Sequence, residues 1–295
     1  MNSLVVRCLL VKSPVVQLGK RTLNTSNKLF TFWEKDDRGG YKTKGPYPNF
    51  TERMRSGLAE LKNEVKLWCG EVKDKFESDP IMLYRPYETD VAWRFKNLSS
   101  LDNWIVTCDA DNNEGYSYCS LIKNNQGNVV FSGNINLRVP KDGRVKRAGY
   151  CNMQTKRFRR SFKRDDYLNW TGYNTLVMKV RGDGRTYLLN LGTRGYFDVA
   201  WNDMYHYQLY TRGGPYWQIA KIPFSKFFMA SKGRIQDDQH PIPLNKVSSF
   251  GISAQDRHGG DFYLEIDYIA LEYDPRHVEE FAYEMYAVDK GIANV

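Results

Sequence analysis

The chain has 295 residues, of which 41% are hydrophobic and 14% aromatic, enough apolar side chains for a buried core. This composition excludes a disordered protein, and no apolar run approaches the ~20 residues that a membrane-spanning helix needs. The formal net charge of +9 favours acidic partners such as nucleic acid, anionic lipid or an acidic protein surface.

Residues 1–24 have the composition of a mitochondrial transit peptide. Arg7, Lys12, Lys20 and Arg21 alternate with apolar and hydroxyl side chains, and the first acidic residue is Glu34. Removal of this segment lowers the net charge from +9 to +5. The alternative is a frayed basic N-terminus. Residues 25–49, rich in Gly, Pro and Lys, predict a linker.

An amphipathic helical extension is predicted for residues 50–79. One apolar stripe recurs at spacings of three and four: Met54, Leu58, Leu61, Val65, Trp68, Val72 and Phe76. Packing of this stripe on the protein's own sheet is the simpler expectation. The alternating spacing also resembles a coiled-coil seam, so the helix can be offered to a partner. We therefore take Leu58, Leu61, Val65 and Trp68 as candidate interface residues.

After Pro80, short alternating segments separated by turns predict an all-β sandwich over residues 80–273. A hairpin is expected over Tyr173–Thr193, because an Asp-Gly turn lies between two alternating runs. Pro223 disfavours a central strand beyond it. Further strands are expected at 103–108, 116–122, 128–138 and 204–210.

The segment 249–273 predicts the closing strands of the sandwich. Apolar residues first occupy even positions 262–266 and then odd positions 269 and 271. A β-bulge near Asp267 and Tyr268 would keep both sets on one face. In the tail, residues 274–295, the spacing of Val278, Phe281, Met285 and Val288 predicts a short helix.

Residues 156–164, K-R-F-R-R-S-F-K-R, form the densest basic part of the chain, here called the basic segment. Its candidate interface residues are Arg157, Arg159, Arg160, Lys163 and Arg164. Arginine interleaved with Phe158 and Phe162 suits RNA, an anionic membrane or an acidic protein surface. The alternative is a solvated loop with both phenylalanines pointing inward.

Motifs for catalysis and for metal binding are absent from the sequence. There is no G-x-S-x-G, H-E-x-x-H, Walker or G-x-G-x-x-G pattern, and the four histidines are scattered singly. Asp109, Asp111 and Asn113 begin like a calcium loop, but Glu114 and Ser120 occupy the places of the required Gly and Glu. The five cysteines form no C-x-x-C pair, and we expect no disulfide. We predict no enzyme, cofactor or metal site.

Several motifs, taken in order, resemble the complex I intermediate-associated protein 30 family. They are N-W-I-V-T at 103–107, V-F-S-G at 130–133, T-G-Y-N-T-L at 171–176, V-R-G-D-G-R-T-Y at 180–187, W-Q-I-A-K-I-P-F-S-K-F at 217–227, F-G-I-S at 250–253 and G-D-F-Y-L-E-I-D-Y-I at 260–269.

This resemblance implies a jelly-roll β-sandwich of the galactose-binding-like type and a non-catalytic assembly factor for mitochondrial complex I. It also implies a position on the matrix side of the inner membrane. The implied partners are an ECSIT-type adaptor, an acyl-CoA dehydrogenase-like factor and early membrane-arm intermediates, and nucleic acid is not expected. One alternative is a carbohydrate-binding module that presents Trp201, Tyr205, Tyr210 and Trp217 to solvent. The other is RNA or anionic-lipid binding through the basic segment.

Overall fold

The computed structural model describes residues 50–78, 84–95, 98–141, 143, 145–193, 203–231 and 233–286. The predicted transit peptide, the linker, Trp201 and Val288 lie outside these residues. The chain divides into two compact units, Met1–Lys62 and Asn63–Val295. The predicted helix is present as α1 (Phe50–Glu77), and the division between the units falls within it.

Thirteen strands occur in the described residues, all paired antiparallel where they form ladders, and short 3-10 helices connect several of them. They are β1 (Thr89–Arg94), β2 (Trp104–Cys108), β3 (Tyr118–Lys123), β4 (Val129–Ile135), β5 (Cys151–Thr155), β6 (Thr175–Gly182), β7 (Thr186–Thr193), β8 (Asp203–Tyr210), β9 (Gln218–Pro223), β10 (Phe228–Ser231), β11 (Arg234–Ile235), β12 (Val247–Ala254) and β13 (Gly260–Glu272).

The strands form two sheets, which make the predicted jelly-roll sandwich. The six-stranded sheet has the order β3-β4-β13-β6-β9, and β1 also pairs with β13. The seven-stranded sheet has the order β11-β10-β8-β7-β12-β5-β2. The long strand β13 is central, because β6 pairs along one edge while β4 and β1 share the other.

The core lies between the sheets and is filled by alternate residues of their strands, as the period of two predicts. Leu189 and Leu191 of β7 and Ile252 of β12 are fully buried on one side. Phe131 of β4 and Leu264 of β13 are fully buried on the other. Burying one such side chain contributes about 1.5–3 kcal/mol, so this double layer supplies most of the driving force for folding.

Tryptophans close one end of the core. The ring centroid of Trp93 lies 5.8 Å from that of Trp104, 5.8 Å from that of Trp170 and 5.6 Å from that of Phe250. Because aromatic pairs at such distances stabilise beyond their buried area, the tryptophan of the N-W-I-V-T motif anchors the edge strand β2 to β1 and β12.

The predicted bulge in β13 is confirmed. The register of β13 against β6 shifts between Ile266 and Tyr268, so one residue of β13 is left over. Ile266 and Ile269 are both fully buried as a result, although their positions differ by an odd number. The bulge therefore keeps one apolar face along the whole strand.

The predicted hairpin over Tyr173–Thr193 is wrong. Strands β6 and β7 do follow the two alternating runs, but β6 lies in the six-stranded sheet and β7 in the seven-stranded sheet. An Asp-Gly turn indicates only that the chain reverses. Both strands bury apolar residues in the core, and each pairs with two other strands within its own sheet.

Pro223 and the C-terminal tail both bear on where regular structure ends. Strand β9 ends at Pro223 and a 3-10 helix follows, so no strand continues directly beyond this proline, as predicted. The tail differs from the expectation, because its described part contains a 3-10 helix, Glu284–Tyr286, in place of an α-helix. Val278 and Met285 are exposed there, so no buried apolar face stabilises a longer helix.

Candidate protein-binding surface

Glu71 joins α1 to the basic segment. Its Oε1 accepts a hydrogen bond from the main-chain N–H of Ser161 at 2.5 Å, and its Oε2 accepts from the Ser161 hydroxyl at 3.1 Å. The Arg164 guanidinium donates to the same Oε2 at 2.5 Å. Ser161 is buried, so these contacts hold the loop at its inner side.

Glu64, two helical turns before Glu71, makes a parallel contact. Its Oε2 accepts from the main-chain N–H of Phe162 at 2.6 Å, and Glu64 is buried. Phe162 and Lys163 have left-handed backbones, with φ of 56° and 54°. Such a conformation costs roughly 1–2 kcal/mol per non-glycine residue. The two carboxylates offset this strain, because they accept consecutive N–H groups of the strained turn.

The surroundings of Glu71 favour its ionised form. The hydrogen bond from the Ser161 N–H is the main cause that lowers the pKa of Glu71, and Arg164 and Arg160 lower it further. Burial acts in the opposite direction. The carboxylate is therefore charged at neutral pH, and the contact with the basic segment is an ionic one.

The basic segment is partly neutralised by its own neighbours. Arg160 Nε lies 2.8 Å from Asp166 Oδ1, and Arg164 pairs with Glu71. The main chain of Arg159 forms a β-bridge with Asp165. The side chains at 156, 157 and 159 are exposed, whereas Phe158 and Lys163 are half-buried. Residues 156 and 157 are thus the part of the segment that presents positive charge most openly.

The apolar stripe of α1 is largely exposed where it lies in the unit Asn63–Val295, so the expectation that it packs on the protein's own sheet is wrong for that part of the helix. Leu58 is 63% exposed, Val65 43%, Trp68 47% and Phe76 87%, and Leu61 is also exposed. The face of Glu64 and Glu71, not this stripe, makes the hydrogen bonds to the basic segment. An exposed row of large apolar side chains on a helix is typical of a partner-binding surface.

Sequence reasoning did not select Glu64 and Glu71, although a signal existed. The two glutamates are seven residues apart, which places them on one side of the helix, and a basic loop in the same chain offers their counter-charge. The pattern was hidden because acidic residues on a helix are usually solvent-exposed. Contact between the helix and the basic segment is decided by the tertiary structure.

The four aromatics of the carbohydrate alternative do not form a common platform in the described residues. Tyr205 is buried in the core, whereas Tyr210, on the opposite face of β8, is exposed. Trp217 lies beside β6, where Lys179 and Arg181 approach its ring at 5.3 Å and 5.2 Å. Trp201 lies outside the described residues. The three described rings therefore do not share one surface.

The aspartates of the calcium-like stretch are engaged by protein donors. Asp109 is fully buried and accepts from the Ser117 N–H at 2.8 Å and from the Gly149 N–H at 2.8 Å. Asp111 accepts from the Cys108 N–H at 2.9 Å. Across the described part of the chain, no group of three His, Cys, Asp or Glu side chains is arranged to hold a metal ion.

A polar groove of about 1300 Å³ lies on the outer face of the seven-stranded sheet. Side chains of four strands form a hydrogen-bonded row along it: His206 with Asn190 at 2.7 Å, Asn190 with Ser253 at 2.6 Å and Ser253 with Asn152 at 2.9 Å. Burial lowers the pKa of His206 to about 4, so this ring is neutral at physiological pH.

A family model described as Complex I intermediate-associated protein 30 matches residues 93–266, from β1 into β13 and more than half of the chain. The chain belongs to the complex I intermediate-associated protein 30 family. The motifs that suggested this resemblance lie inside the matched residues, except for the last three residues of the final motif.

Relatives within the family extend the similarity to α1. The complex I intermediate-associated protein 30, mitochondrial, of Drosophila melanogaster is 57% identical over 281 residues, 95% of this chain and 94% of the relative. The protein of the same name from Mus musculus is 43% identical over 195 residues, 66% of this chain and 59% of the relative.

Solved structures with a similar sandwich include carbohydrate-binding modules. The family 11 module from Clostridium thermocellum, in complex with a mixed-linked tetrasaccharide, has a TM-score of 0.44 and 14% identity, over 65% of this chain and all of the module. The family 11 module of the cellulase Lic26A-Cel5E has a TM-score of 0.46 and 13% identity, over 64% of this chain and 96% of the module. At this level of similarity, neither likeness indicates a ligand. No helix in the described part of the chain is long and apolar enough to cross a membrane.

Proposed function

We propose that this protein is a non-catalytic assembly factor for mitochondrial complex I, which binds a partly assembled partner on the apolar stripe of α1. The observation that supports this proposal is the exposure of Leu58, Leu61, Val65 and Trp68 on a helix whose neighbouring acidic face is already engaged. A relative that aligns with 95% of the chain carries the name of a complex I intermediate-associated protein.

The stripe suits a protein partner because of its spacing and composition. Large apolar residues at alternating spacings of four and three present a continuous seam to a second helix. Trp68 in the middle of the seam is the type of residue that dominates interface energies. Burial of the stripe by a partner removes these side chains from water, which supplies the free energy of binding.

The basic segment assists this binding through its charge. Arg157 and its neighbours create a positive patch, and such patches accelerate encounter with an acidic partner more than they increase affinity. Arg160 and Arg164 are committed to Asp166 and Glu71, so Lys156 and Arg157 contribute most of the attraction to a partner.

We place the protein on the matrix side of the inner membrane, in peripheral association with it. The basic acid-free N-terminus and relatives named mitochondrial support this location. Its partners in this proposal are early membrane-arm intermediates of complex I, an ECSIT-type adaptor and an acyl-CoA dehydrogenase-like factor. The absence of recognisable catalytic motifs from the sequence supports a scaffold role.

Rescue of cells depleted of this protein tests the proposal. Wild-type protein is expected to restore mature complex I on a native gel and to co-purify with its membrane-arm intermediates. Val65→Asp is expected to lose both, because a carboxylate interrupts the apolar seam. Leu67→Asp is the control, since Leu67 is also an exposed apolar residue of the same helix but lies off the stripe. Circular dichroism verifies that both variants fold.

Two results would contradict the proposal. Equal rescue by Val65→Asp and Leu67→Asp would show that the stripe is not the binding surface. A normal amount of mature complex I in depleted cells would show that the protein is not an assembly factor. Charge reversal by Lys156→Glu with Arg157→Glu tests the basic segment separately, and we expect slower association with a partner that is still retained.

A further inference from the structure

Three of the cysteines meet where the edges of the two sheets approach each other. Cys108 and Cys151 belong to β2 and β5 of the seven-stranded sheet, and Cys119 belongs to β3 of the six-stranded sheet. All are free thiols, and together they are called here the thiol cluster. The spacing of Cys108 and Cys119 is compatible with adjacent strands, but no sequence pattern places Cys151 beside them.

Contacts of the sulfur atoms define the cluster. The Cys119 thiol lies 3.5 Å from the carbonyl oxygen of Thr107, the residue before Cys108. The Cys151 thiol lies 3.6 Å from the carbonyl oxygen of Tyr118, the residue before Cys119. Each thiol thus reaches across to the opposite sheet, next to another cysteine.

The register of the strands brings Cys108 and Cys151 together as well. They are direct partners in the β2–β5 ladder, and Asp109 N donates to Tyr150 O in the adjoining pair. Hydrogen-bonded and non-hydrogen-bonded pairs alternate, so Cys108 and Cys151 form a close pair with Cα atoms ~4.5 Å apart. This spacing is within the range of a disulfide.

The three thiols differ in their access to solvent and in their partners. Cys108 and Cys151 are buried, whereas Cys119 is half-buried and is therefore the most exposed of the three. The Cys108 thiol donates a hydrogen bond to Asp111 Oδ2 at 3.3 Å, so its proton is held by this carboxylate. The hydrogen bond from Cys151 is the main cause that lowers the pKa of Cys119, which favours its thiolate. The same hydrogen bond, with burial, raises the pKa of Cys151.

We propose that the thiol cluster is an oxidation site, at which a hydroperoxide converts Cys119 and Cys151 to a disulfide that joins the two sheets. The Cys119 thiolate attacks one peroxide oxygen, the O–O bond breaks, and a sulfenic acid forms as hydroxide or alkoxide leaves. The Cys151 sulfur then attacks the sulfenic sulfur, and its proton leaves with the hydroxyl group as water. The peroxide accepts the two electrons that the two thiols lose when the disulfide forms.

A metal does not explain the cluster. Within the described residues, no three His, Cys, Asp or Glu side chains are arranged around a common point for an ion. The thiols instead lie in succession, with one half-buried and two buried. Such an order suits an attacking thiol with a resolving thiol behind it.

Peptide mapping of the full-length protein after treatment with hydrogen peroxide tests the proposal. Remaining thiols are alkylated, and the protein is digested with trypsin and with a protease that cuts at acidic residues, because Asp109 and Glu114 separate Cys108 from Cys119. We expect a peptide pair that links Cys119 to Cys151. A Cys108–Cys151 link, or oxidation of Cys119 without a link, would overturn the proposal.

Variants and thermal unfolding provide an independent readout. Oxidised wild-type protein is expected to unfold at a temperature at least about 3 °C higher than the reduced protein, because the new bond restricts the unfolded chain. Cys119→Ser is expected to abolish this rise, whereas Cys69→Ser, at an exposed thiol on α1, preserves it. An equal rise in Cys119→Ser would contradict the assignment.

Discussion

Single carboxylates decide how the basic segment is held. Glu64 and Glu71 accept consecutive main-chain N–H groups from Phe162 and Ser161, and Arg164 adds a charged partner to Glu71. Hydrogen bonds that involve a charged group are stronger than neutral ones. Two glutamates are therefore sufficient to hold a loop that contains two left-handed non-glycine residues.

We expect Glu71→Gln to loosen this loop. The amide keeps the shape of the carboxylate but loses its charge, so the hydrogen bonds from Ser161 and Arg164 weaken. Amide hydrogen exchange at residues 161–164 should accelerate roughly tenfold or more. Glu77→Gln is the control, because Glu77 lies on the same helix and pairs only with the exposed Lys73 among its described ion-pair contacts. Equal exchange in both variants would show that Glu71 does not hold the loop.

His206 is expected to make stability depend on pH. Its pKa is about 4 in the folded state, because burial disfavours the charged ring, and about 6.5 in the unfolded chain. The neutral ring's contribution to the free energy of unfolding is fully present above pH ~6.5 and is lost as pH falls through the folded pKa. Between the two pKa values, only the unfolded chain binds a proton at His206. The free energy of unfolding decreases by at most about 3 kcal/mol over this range.

Urea unfolding of wild type and His206→Gln between pH values of about 7 and about 4 checks this expectation. Other titrating groups are the same in both proteins, so the difference between the two pH profiles isolates His206. The wild type should lose more free energy of unfolding towards acid than the variant does. Parallel profiles would mean that burial of the ring has no such effect.

At the scale of the element, close approach of strands explains the glycine of the V-F-S-G motif. Gly133 of β4 pairs with Cys119 of β3 and with Phe262 of β13. A Cβ at Gly133 would lie 2.1 Å from the carbonyl oxygen of Tyr118 and 2.7 Å from the Cα of Cys119. These two nearest atoms belong to the main chain of β3, so they cannot move aside as the end of a flexible side chain would.

Alanine substitutions at two glycines should have opposite effects. Gly133→Ala is expected to lower the free energy of unfolding by about 2 kcal/mol or more, because the added methyl group forces β3 and β4 apart. Gly70→Ala is expected to raise it by about 1 kcal/mol, since Gly70 lies within α1 and its Cβ would meet no atom within 4 Å. Chemical unfolding measures both. A destabilising Gly70→Ala would indicate that this part of α1 is more closely packed than the structure shows.

At the scale of the whole molecule, the two candidate surfaces differ in physical character. The stripe of α1 is apolar, whereas the basic segment acts through charge that is partly neutralised within the protein. Salt screens exposed charges and leaves apolar burial in place. The salt dependence of partner binding therefore distinguishes the two contributions.

We expect the affinity for a membrane-arm intermediate to change by less than roughly tenfold when salt rises from about 0.1 M to about 0.5 M. The association rate should fall more than the dissociation rate rises, because charge steers the encounter and the stripe retains the partner. Surface plasmon resonance measures both rates. A steep loss of affinity would identify the basic segment as the main binding surface instead.

Local patterns in the sequence determined the class of the fold and many of its elements. The spacing of Met54 to Phe76 predicted α1, and the change from even to odd apolar positions predicted the bulge after Ile266. Pro223 predicted that no strand continues beyond it. These features depend on the period of a helix or strand and on the geometry of one residue, so neighbouring residues in the chain suffice to reveal them.

The tertiary structure alone decided which elements meet. Strands β6 and β7 lie in different sheets despite their Asp-Gly turn, and the basic segment binds Glu64 and Glu71 instead of remaining a separate surface. Cys119 and Cys151 meet across the edges of two sheets although 31 residues separate them in the sequence. Such contacts depend on which faces bury the most apolar area and satisfy the most charges together. That balance involves the whole chain and is not contained in any local pattern.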